Sequence, residues 1–168
     1  MPKQIELANA LLSGIAKNEN NSIIMIEEND PEKIEEIIYE KNGYTKIKSS
    51  SFIAVGAPRG ILRTAIQGLS KSNKNKQEII PLPDNSPYGI VNVNTESCTI
   101  CLSCVSACPA GALQDNPEAP QLLFREDACL QCGICVATCP EKAISLISQF
   151  NLSDDAMSAK VIIEDQPF

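Results

Sequence analysis

Two twelve-residue stretches decide the fold of this chain: CTICLSCVSACP at residues 98–109 and CLQCGICVATCP at residues 129–140. Each follows the spacing Cys-x2-Cys-x2-Cys-x3-Cys-Pro, and together they contain all eight cysteines of the 168-residue chain. Three evenly spaced thiolates can wrap one four-iron cluster, whereas the fourth, placed before a proline, ligates a neighbouring cluster. The spacing therefore predicts two [4Fe-4S] clusters.

The crossing of the fourth cysteine predicts which residues bind which cluster. We expect one cluster to be held by Cys98, Cys101, Cys104 and Cys139, and the other by Cys129, Cys132, Cys135 and Cys108. Pro109 and Pro140 restrict φ after the crossing ligands and direct the chain away from them. The apolar residues between the cysteines either line the clusters or pack an ordinary core, and both roles stay open: Ile100, Leu102, Val105, Leu130, Ile134 and Val136.

The two motifs form an internal repeat with a constant offset of 31 residues. Val105 aligns with Val136, and Ala112 with Ala143, in addition to the cysteines and prolines. A single duplication at this period indicates a module with pseudo-twofold symmetry rather than a long repeat array.

Over residues 87–148 the chain resembles bacterial-type ferredoxins that carry two four-iron clusters. The resemblance implies an α+β fold in which a βαβ unit occurs twice. We expect its strands at residues 89–94, 112–114, 122–125 and 143–147, with a short helical turn after the third cysteine of each motif.

The first half of the chain contains no cysteine and must fold by burying apolar side chains. Helical spacing predicts an amphipathic helix from Pro2 to Lys17, and β-branched runs predict buried strands at Ser22–Ile26 and Phe52–Val55. Two further helices are expected: one that begins at Asp30-Pro31, buries Ile34, Ile37 and Ile38 and ends at Gly43, and one after Gly56-Ala57-Pro58 that buries Ile61, Leu62, Ala65, Ile66 and Leu69.

This order of strands and helices predicts a parallel α/β layer. Because two strands make a poor independent core, we expect the region to belong to a larger domain, or to pack on the cysteine-rich half or another chain. The predicted organisation is an α/β region at 1–70, a linker at 71–87, a two-cluster ferredoxin-type domain at 88–148 and a tail at 149–168. In that tail the apolar stretch Val161–Ile163 has no obvious partner.

Other metal and catalytic sites fit the sequence less well. Structural zinc sites also use Cys-x2-Cys pairs, but they draw two pairs from separated loops rather than three evenly spaced cysteines. The absence of histidine excludes a Rieske centre and histidine-based triads. No pair of acidic residues stands out as a general acid and base, so we expect no catalysis by the chain alone and leave its place in an enzyme open.

The stretch GAPRG at residues 56–60 lies between a predicted strand and a predicted helix, where an anion can bind. It lacks the Lys-Ser/Thr ending of a P-loop and the spacing of a dinucleotide fingerprint. We interpret it as a plain helix start, with Arg59 and Arg63 facing solvent or a partner.

Charge is distributed unevenly along the chain. Residues 86–168 contain three Lys and Arg against ten Asp and Glu, so the net charge of −7 resides on the half with the cysteines. The acidity either recruits a redox partner with a basic surface or serves solubility, and it disfavours nucleic acid as a partner. The first residues lack the pattern of a secretory leader, and no apolar run is long enough to span a membrane, so we expect a cytoplasmic protein.

A second, broader resemblance rests on residues 98–144 (CTICLSCVSACPAGALQDNPEAPQLLFREDACLQCGICVATCPEKAI) and the preceding IIPLPDNSPYGIVNVN at 79–94. These residues resemble the C-terminal region of large proteobacterial 4Fe-4S binding proteins associated with formate dehydrogenase. The resemblance implies an iron–sulfur electron carrier, or the electron relay of an oxidoreductase assembly, and raises the hypothesis that the chain is part of a longer protein. The alternative is a structural or regulatory iron–sulfur protein that acts in metalloenzyme assembly.

Overall fold

The structure is a computed structural model that describes residues 2–16, 23–40, 47–73 and 77–164. The chain divides into two compact units, Met1–Ile80 and Pro81–Phe168, in a mixed α/β architecture. The elements, in chain order, are α1 (Pro2–Ala16), α2 (Pro31–Glu40), α3 (Pro58–Ser72), β1 (Ile79–Pro81), β2 (Gly89–Val93), α4 (Ser103–Ala107), β3 (Leu113–Asn116), β4 (Ala119–Phe124), α5 (Ile134–Thr138), β5 (Ile144–Asn151) and β6 (Lys160–Glu164). Two 3₁₀ turns, Glu126–Ala128 and Asp154–Met157, complete them. None of the helices in these ranges has the length and apolar character needed to cross a bilayer.

The described residues form two three-stranded sheets, and the antiparallel pairings of β2 with β5 and of β3 with β4 follow the internal repeat. The strand orders are β1-β5-β2 and β3-β4-β6. In the first sheet Val93 pairs with Ile144, and in the second Phe124 pairs with Leu113. Each residue of the second pair lies 31 positions from its counterpart in the first. The pseudo-twofold symmetry of the sequence is thus present in the strand register.

The hydrogen bonds at the ends of these strands obey the same symmetry. The N–H of Asn94 donates to the carbonyl of Ala143 at 2.8 Å, and the N–H of Arg125 donates to the carbonyl of Ala112 at 2.8 Å. Both carbonyls belong to residues that follow a Cys-Pro turn, so the sheets connect the two cysteine motifs directly. The strands overlap the four predicted ones, although β4 begins three residues early and β5 continues to Asn151.

The longer β5 carries a buried aromatic side chain beyond the predicted strand. Phe150 is fully buried and meets Tyr88 edge to face, with ring centroids 5.1 Å apart. Edge-to-face aromatic pairs add roughly 0.5–1.5 kcal/mol beyond the burial of area. The first sheet is therefore anchored at the end remote from the cysteines.

The tail has a partner inside this chain, so the prediction that Val161–Ile163 lacks one is wrong. β6 pairs antiparallel with β4, and Ile163 lies opposite Leu122. Both side chains are buried, Ile163 at 6% exposed and Leu122 at 1%. An apolar strand end that had no visible function in the sequence thus completes the second sheet.

The predicted linker at 71–87 is structured at both ends. α3 continues to Ser72, and β1 occupies Ile79–Pro81 at the edge of the first sheet. The N–H of Leu82 donates to the carbonyl of Ser148 at 3.2 Å. Proline within β1 is compatible with an edge strand, because an edge leaves one side of the backbone without a ladder partner.

The helices of the first unit form where the sequence predicts them. Asp30 caps α2, since its Oδ1 accepts from the N–H of Glu32 at 3.1 Å and its carbonyl accepts from Ile34 at 3.0 Å. Leu11 and Ile15 of α1 are buried, and α1 packs against α3. Gly43, the expected end of α2, lies outside the described residues.

The two predicted strands of the first unit are wrong. Residues 23–26 and 52–55 belong to no strand or helix, and Ile53 is 84% exposed. The backbone of Ile23 bonds instead to the Asn9 side chain, whose Oδ1 accepts from its N–H at 2.6 Å and whose Nδ2 donates to its carbonyl at 3.0 Å. β-Branched runs report propensity, whereas a strand also needs a neighbouring strand. The predicted parallel layer is therefore absent from residues 2–16, 23–40 and 47–73.

Burial on the helices of this unit also differs from the prediction. No residue of α2 is buried, although Ile34, Ile37 and Ile38 were expected to face inward. Of the five residues predicted to be buried on α3, Ile66 alone is, and the other buried positions are Arg63 and Ser70. Arg63 therefore does not face solvent, contrary to expectation.

Candidate metal centre

The loop that carries the first three cysteines of each motif has an unusual backbone. Ile100 and Leu102 have φ of 51° and 58°, and Gln131 and Gly133, at the equivalent positions of the repeat, have φ of 55° and 77°. Positive φ costs a non-glycine residue, and most of all a β-branched one, of order 1–3 kcal/mol. Of these positions only Gly133 carries a sequence signal. The strain at the other three accompanies the curling of each loop around its cysteines.

A one-turn helix begins directly after the second left-handed residue of each loop, which is Leu102 in the first motif and Gly133 in the second. α4 contains Cys104 and α5 contains Cys135, which are 7% and 9% exposed. The helical turns therefore include the third cysteine of each motif rather than following it. α4 and α5 pack against each other, and the interior of this unit holds three buried cysteines, Cys104 of the first motif and Cys129 and Cys135 of the second.

Two cavities of the second unit are each lined by three cysteines of one motif and the fourth cysteine of the other. One cavity is lined by Cys98, Cys101, Cys104 and Cys139. A second cavity is lined by Cys108, Cys129, Cys132 and Cys135. We call these groups the first and the second cysteine set. The structure brings together the same residues that the spacing predicts for each cluster.

Apolar side chains form much of the remaining wall of both cavities. Leu122 and Ile144 line the first, and Val91, Leu113 and Leu146 line the second. The apolar residues between the cysteines have different positions. Ile100 and Leu102 line the first cavity, and Leu130 and Ile134 line the second. Val105 packs against the core, and Val136 is exposed.

The sulfur of each fourth cysteine accepts a backbone hydrogen bond. The N–H of Ala112 donates to Cys108 Sγ at 3.3 Å, and the N–H of Ala143 donates to Cys139 Sγ at 3.4 Å. Gly111 and Lys142, which precede the donors, are left-handed with φ of 60° and 51°. Such N–H donors to ligand sulfurs stabilise the thiolate and tune the potential of a bound cluster.

Two side-chain contacts to sulfur were not predicted from the sequence. Ser103 Oγ lies 3.4 Å from Cys101 Sγ. Gln131 Nε2 donates to Cys129 Sγ at 3.4 Å and to the carbonyl of Ile90 at 3.2 Å. Neither residue has a polar counterpart in the other motif, because Ile134 and Ile100 occupy those positions. A comparison of the two motifs for positions at which their residues differ, rather than agree, would have drawn attention to both residues.

The thiols differ in how readily they ionise. Burial raises the pKa of Cys104, and it raises the pKa of Cys135 to about 11. The hydrogen bond from Ser103 lowers the pKa of Cys101. Burial acts to raise the pKa of Cys108, but backbone N–H groups, foremost those of Leu113 and Ala112, outweigh it and lower the value. Since metals bind thiolates, cluster binding must displace protons held by the buried pair.

The arrangement of sulfurs suits a polynuclear cluster. A tetrahedral zinc site needs four sulfurs about 2.3 Å from one point. In the part of the chain that the structure describes, no three Cys, Asp or Glu side chains converge in this way. Each cysteine set instead surrounds a cavity, so that its four sulfurs could bind different iron atoms of one cube.

The stretch at residues 56–60 is a helix start, as its sequence indicates. α3 begins at Pro58, and the N–H of Ile61 donates to the carbonyl of Ala57 at 3.1 Å. Gly56 adopts φ of 101° in an exposed position. No side chain caps the helix.

Comparison with known proteins agrees with the geometry of the cysteine sets. Residues 97–144 match the family described as a 4Fe-4S dicluster domain. No curated protein matches the chain. The matched range contains both motifs and all eight cysteines. The second unit therefore contains a ferredoxin-type domain that binds 4Fe-4S clusters, which supports an iron–sulfur electron-transfer role.

Proposed function

We propose that the second unit passes single electrons through two [4Fe-4S] clusters, one held by each cysteine set. The observation that supports this most directly is that each cavity is lined by three cysteines of one motif and the fourth of the other. Clusters bound there would take up and release one electron at a time, at potentials set by hydrogen bonding and solvent exposure.

The crossing cysteines and the two short helices connect the proposed centres. Cys108 and Cys139 end α4 and α5, and each lines the cavity that contains the other motif's cysteines. Cys104 and Cys135 lie close enough to interact electrostatically. The packing of α4 against α5 brings the two sets together, and the proposal requires no moving element for an electron to pass between them.

The walls of the cavities and their openings have different functions. Buried Leu113, Leu122 and Ile144 exclude water from the inner side of the sets. Cys101 and Cys132, in contrast, are exposed, one in each set. These two ligands are the proposed points of electron entry and exit.

A partner protein would dock beside these exposed ligands. Leu130, Ile134 and Val136 are exposed near Cys132, and the surrounding half of the chain is strongly acidic. A partner with a basic surface and an apolar centre would complement this face. The resemblance of residues 79–144 to formate dehydrogenase-associated proteins supports an oxidoreductase of that type as the setting of the relay.

Anaerobic reconstitution followed by electron-transfer assays tests the proposal. The full chain should bind about eight iron atoms and pass electrons from dithionite to a dye acceptor. Cys101→Ser and Cys132→Ser should each perturb one cluster and reduce the throughput at least tenfold. The exposed Ser106→Ala on α4 is the matched control and should change nothing. Undiminished throughput in both cysteine variants, or a colourless protein that binds zinc, would contradict the proposal.

A second candidate function is favoured by the surface of the first unit. Ile38, Ile53 and Val55 are exposed on a unit that lacks cysteine, a feature a simple carrier does not need. In this alternative the clusters are structural or regulatory, and the chain acts in metalloenzyme assembly. Voltammetry separates the two: reversible low-potential couples with rapid electron exchange support the carrier, whereas redox-silent clusters support the alternative.

A further inference from the structure

The two halves of the repeat differ at the positions that touch the cysteine cavities. Gln131 lines the second cavity, while Ile100 occupies the equivalent position at the first. Glu141 lines the first cavity, while its equivalent at the second is Ala110. Two further polar residues, Thr99 and Ser103, line the first cavity, and their equivalents at the second are the apolar Leu130 and Ile134. A pseudo-symmetric backbone therefore surrounds the two sets with unequal electrostatics.

Gln131 is held in place as a hydrogen-bond donor to the second set. Its amide donates to Cys129 Sγ and is fixed by the carbonyl of Ile90, at a partly buried site. Gly89 leaves room for it, because a Cβ at that position would lie 2.8 Å from the amide carbon of Gln131. A donor to a ligand sulfur stabilises the more negative, reduced state and so raises the reduction potential.

Glu141 acts in the opposite direction at the first set. A carboxylate beside a cluster opposes the addition of an electron and lowers the potential. Its exposed position weakens this effect by screening. Ser103 and Thr99 oppose it through their hydrogen bonds to Cys101, but Cys101 is solvent-exposed, where water competes for the sulfur. The partly buried donor of the second set therefore outweighs the exposed donors of the first.

We propose that Gln131 and Glu141 make the two clusters unequal in potential, with the second set holding the cluster of higher potential. This inference rests on the ligand sets of the proposed function. An electron received at the first set is then passed to the second set, so that the first is oxidised and the second reduced, with no bond broken and no proton transferred. Gln131 and Glu141 are positioning and tuning residues rather than ligands.

Redox titration followed by electron paramagnetic resonance tests the assignment. Gln131→Ile copies the residue of the other repeat, which adopts the same left-handed backbone, and should lower the upper couple while leaving the lower one in place. Glu141→Gln should raise the lower couple alone, and the double variant should narrow the separation by the sum of both shifts. Ser103→Ala should lower the lower couple and widen the separation. Exposed Glu118→Gln, in the turn between β3 and β4, is the matched charge control and should move neither couple.

The outcomes separate this inference from the proposed function. If the wild-type chain binds no [4Fe-4S] cluster, the proposed function fails. If both clusters form but Gln131→Ile shifts the lower couple or neither, the inference fails and the ligand sets stand. Should Gln131→Ile not fold, Gln131→Glu, which keeps the shape and replaces the donor by an acceptor, must lower the upper couple further. An unshifted upper couple in that variant overturns the inference.

Discussion

A single residue, Gly89, allows the first sheet and the second cysteine set to approach each other. A Cβ built on it would clash with the backbone carbonyl oxygen of Ile147. Gly89 is buried and opposite Ser148 in the pairing of β2 with β5. The absence of a side chain is therefore a packing requirement, and the backbone at this position is not left-handed.

Gly89→Ala should consequently destabilise the second unit. We expect a loss of about 1–3 kcal/mol in the free energy of unfolding, because a backbone carbonyl cannot move aside as a side chain can. Gly60→Ala on α3 is the control, since its Cβ meets nothing within 4 Å and alanine favours a helix by roughly 0.5–1 kcal/mol. Denaturant unfolding of the anaerobic protein measures both, and equal stability of the two variants would refute the packing argument.

At the scale of residues, the sequence predicts the proposed cluster ligands but not the side chains that contact them. The cysteines could be predicted as ligands because their spacing is typical of [4Fe-4S] cluster binding. Gln131 and Ser103 are ordinary polar residues, and only the fold reveals that each reaches a sulfur. Left-handed Ile100 and Leu102 are equally hidden, because no sequence rule places a branched or bulky residue at positive φ.

At the scale of elements, β6 supports the wall of the first cavity. Ile163 lies opposite Leu122, and Leu122 lines the cavity of the first cysteine set. On the same strand Val161 is 46% exposed. Ile163 therefore supports the cavity wall through Leu122, whereas Val161 is open to solvent.

Ile163→Ala should cost about 2–5 kcal/mol, the usual range for truncating a buried isoleucine. It should also speed the loss of iron from the first set more than from the second. Val161→Ala is the matched control and should cost less than about 1 kcal/mol. Iron release to a chelator, followed together with thermal unfolding, reports both effects. Equal iron release from the two variants would show that β6 does not support the site.

The elements of the second unit were more predictable than those of the first for a physical reason. In the second unit, the cysteine spacing and the ferredoxin resemblance point to the same arrangement, and the repeat pairs β2 with β5 and β3 with β4. In the first unit, the runs at 23–26 and 52–55 have strand propensity without a strand to pair with. Propensity alone therefore misassigned them, whereas the local signals of helix capping at Asp30-Pro31 were sufficient.

At the scale of the whole molecule, charge separates the two halves. Residues 86–168 hold three basic and ten acidic side chains, whereas residues 1–85 hold eleven of each. This distribution predicts a long-range attraction to a basic partner. The attraction can be measured through its dependence on salt, because salt screens it.

Electron transfer to a basic haem protein should slow by about tenfold or more between 20 mM and 500 mM salt. The physical reason is that screening removes the steering of the encounter while leaving the clusters unchanged. An acidic acceptor of similar size is the control and should become faster or stay constant. Stopped-flow rates that are independent of salt with the basic acceptor would argue that the acidity serves solubility alone.

The central claim is that each fourth cysteine crosses to the other cluster, and paired substitutions test it most directly. Cys98→Ala with Cys139→Ala removes two ligands from one proposed set, so the reconstituted protein should retain about four iron atoms and one cluster spectrum. Cys98→Ala with Cys108→Ala removes one ligand from each set and should leave fewer intact [4Fe-4S] clusters. If the second pair instead retains one complete four-iron cluster and the first pair damages both, the cysteines do not cross and the account is wrong.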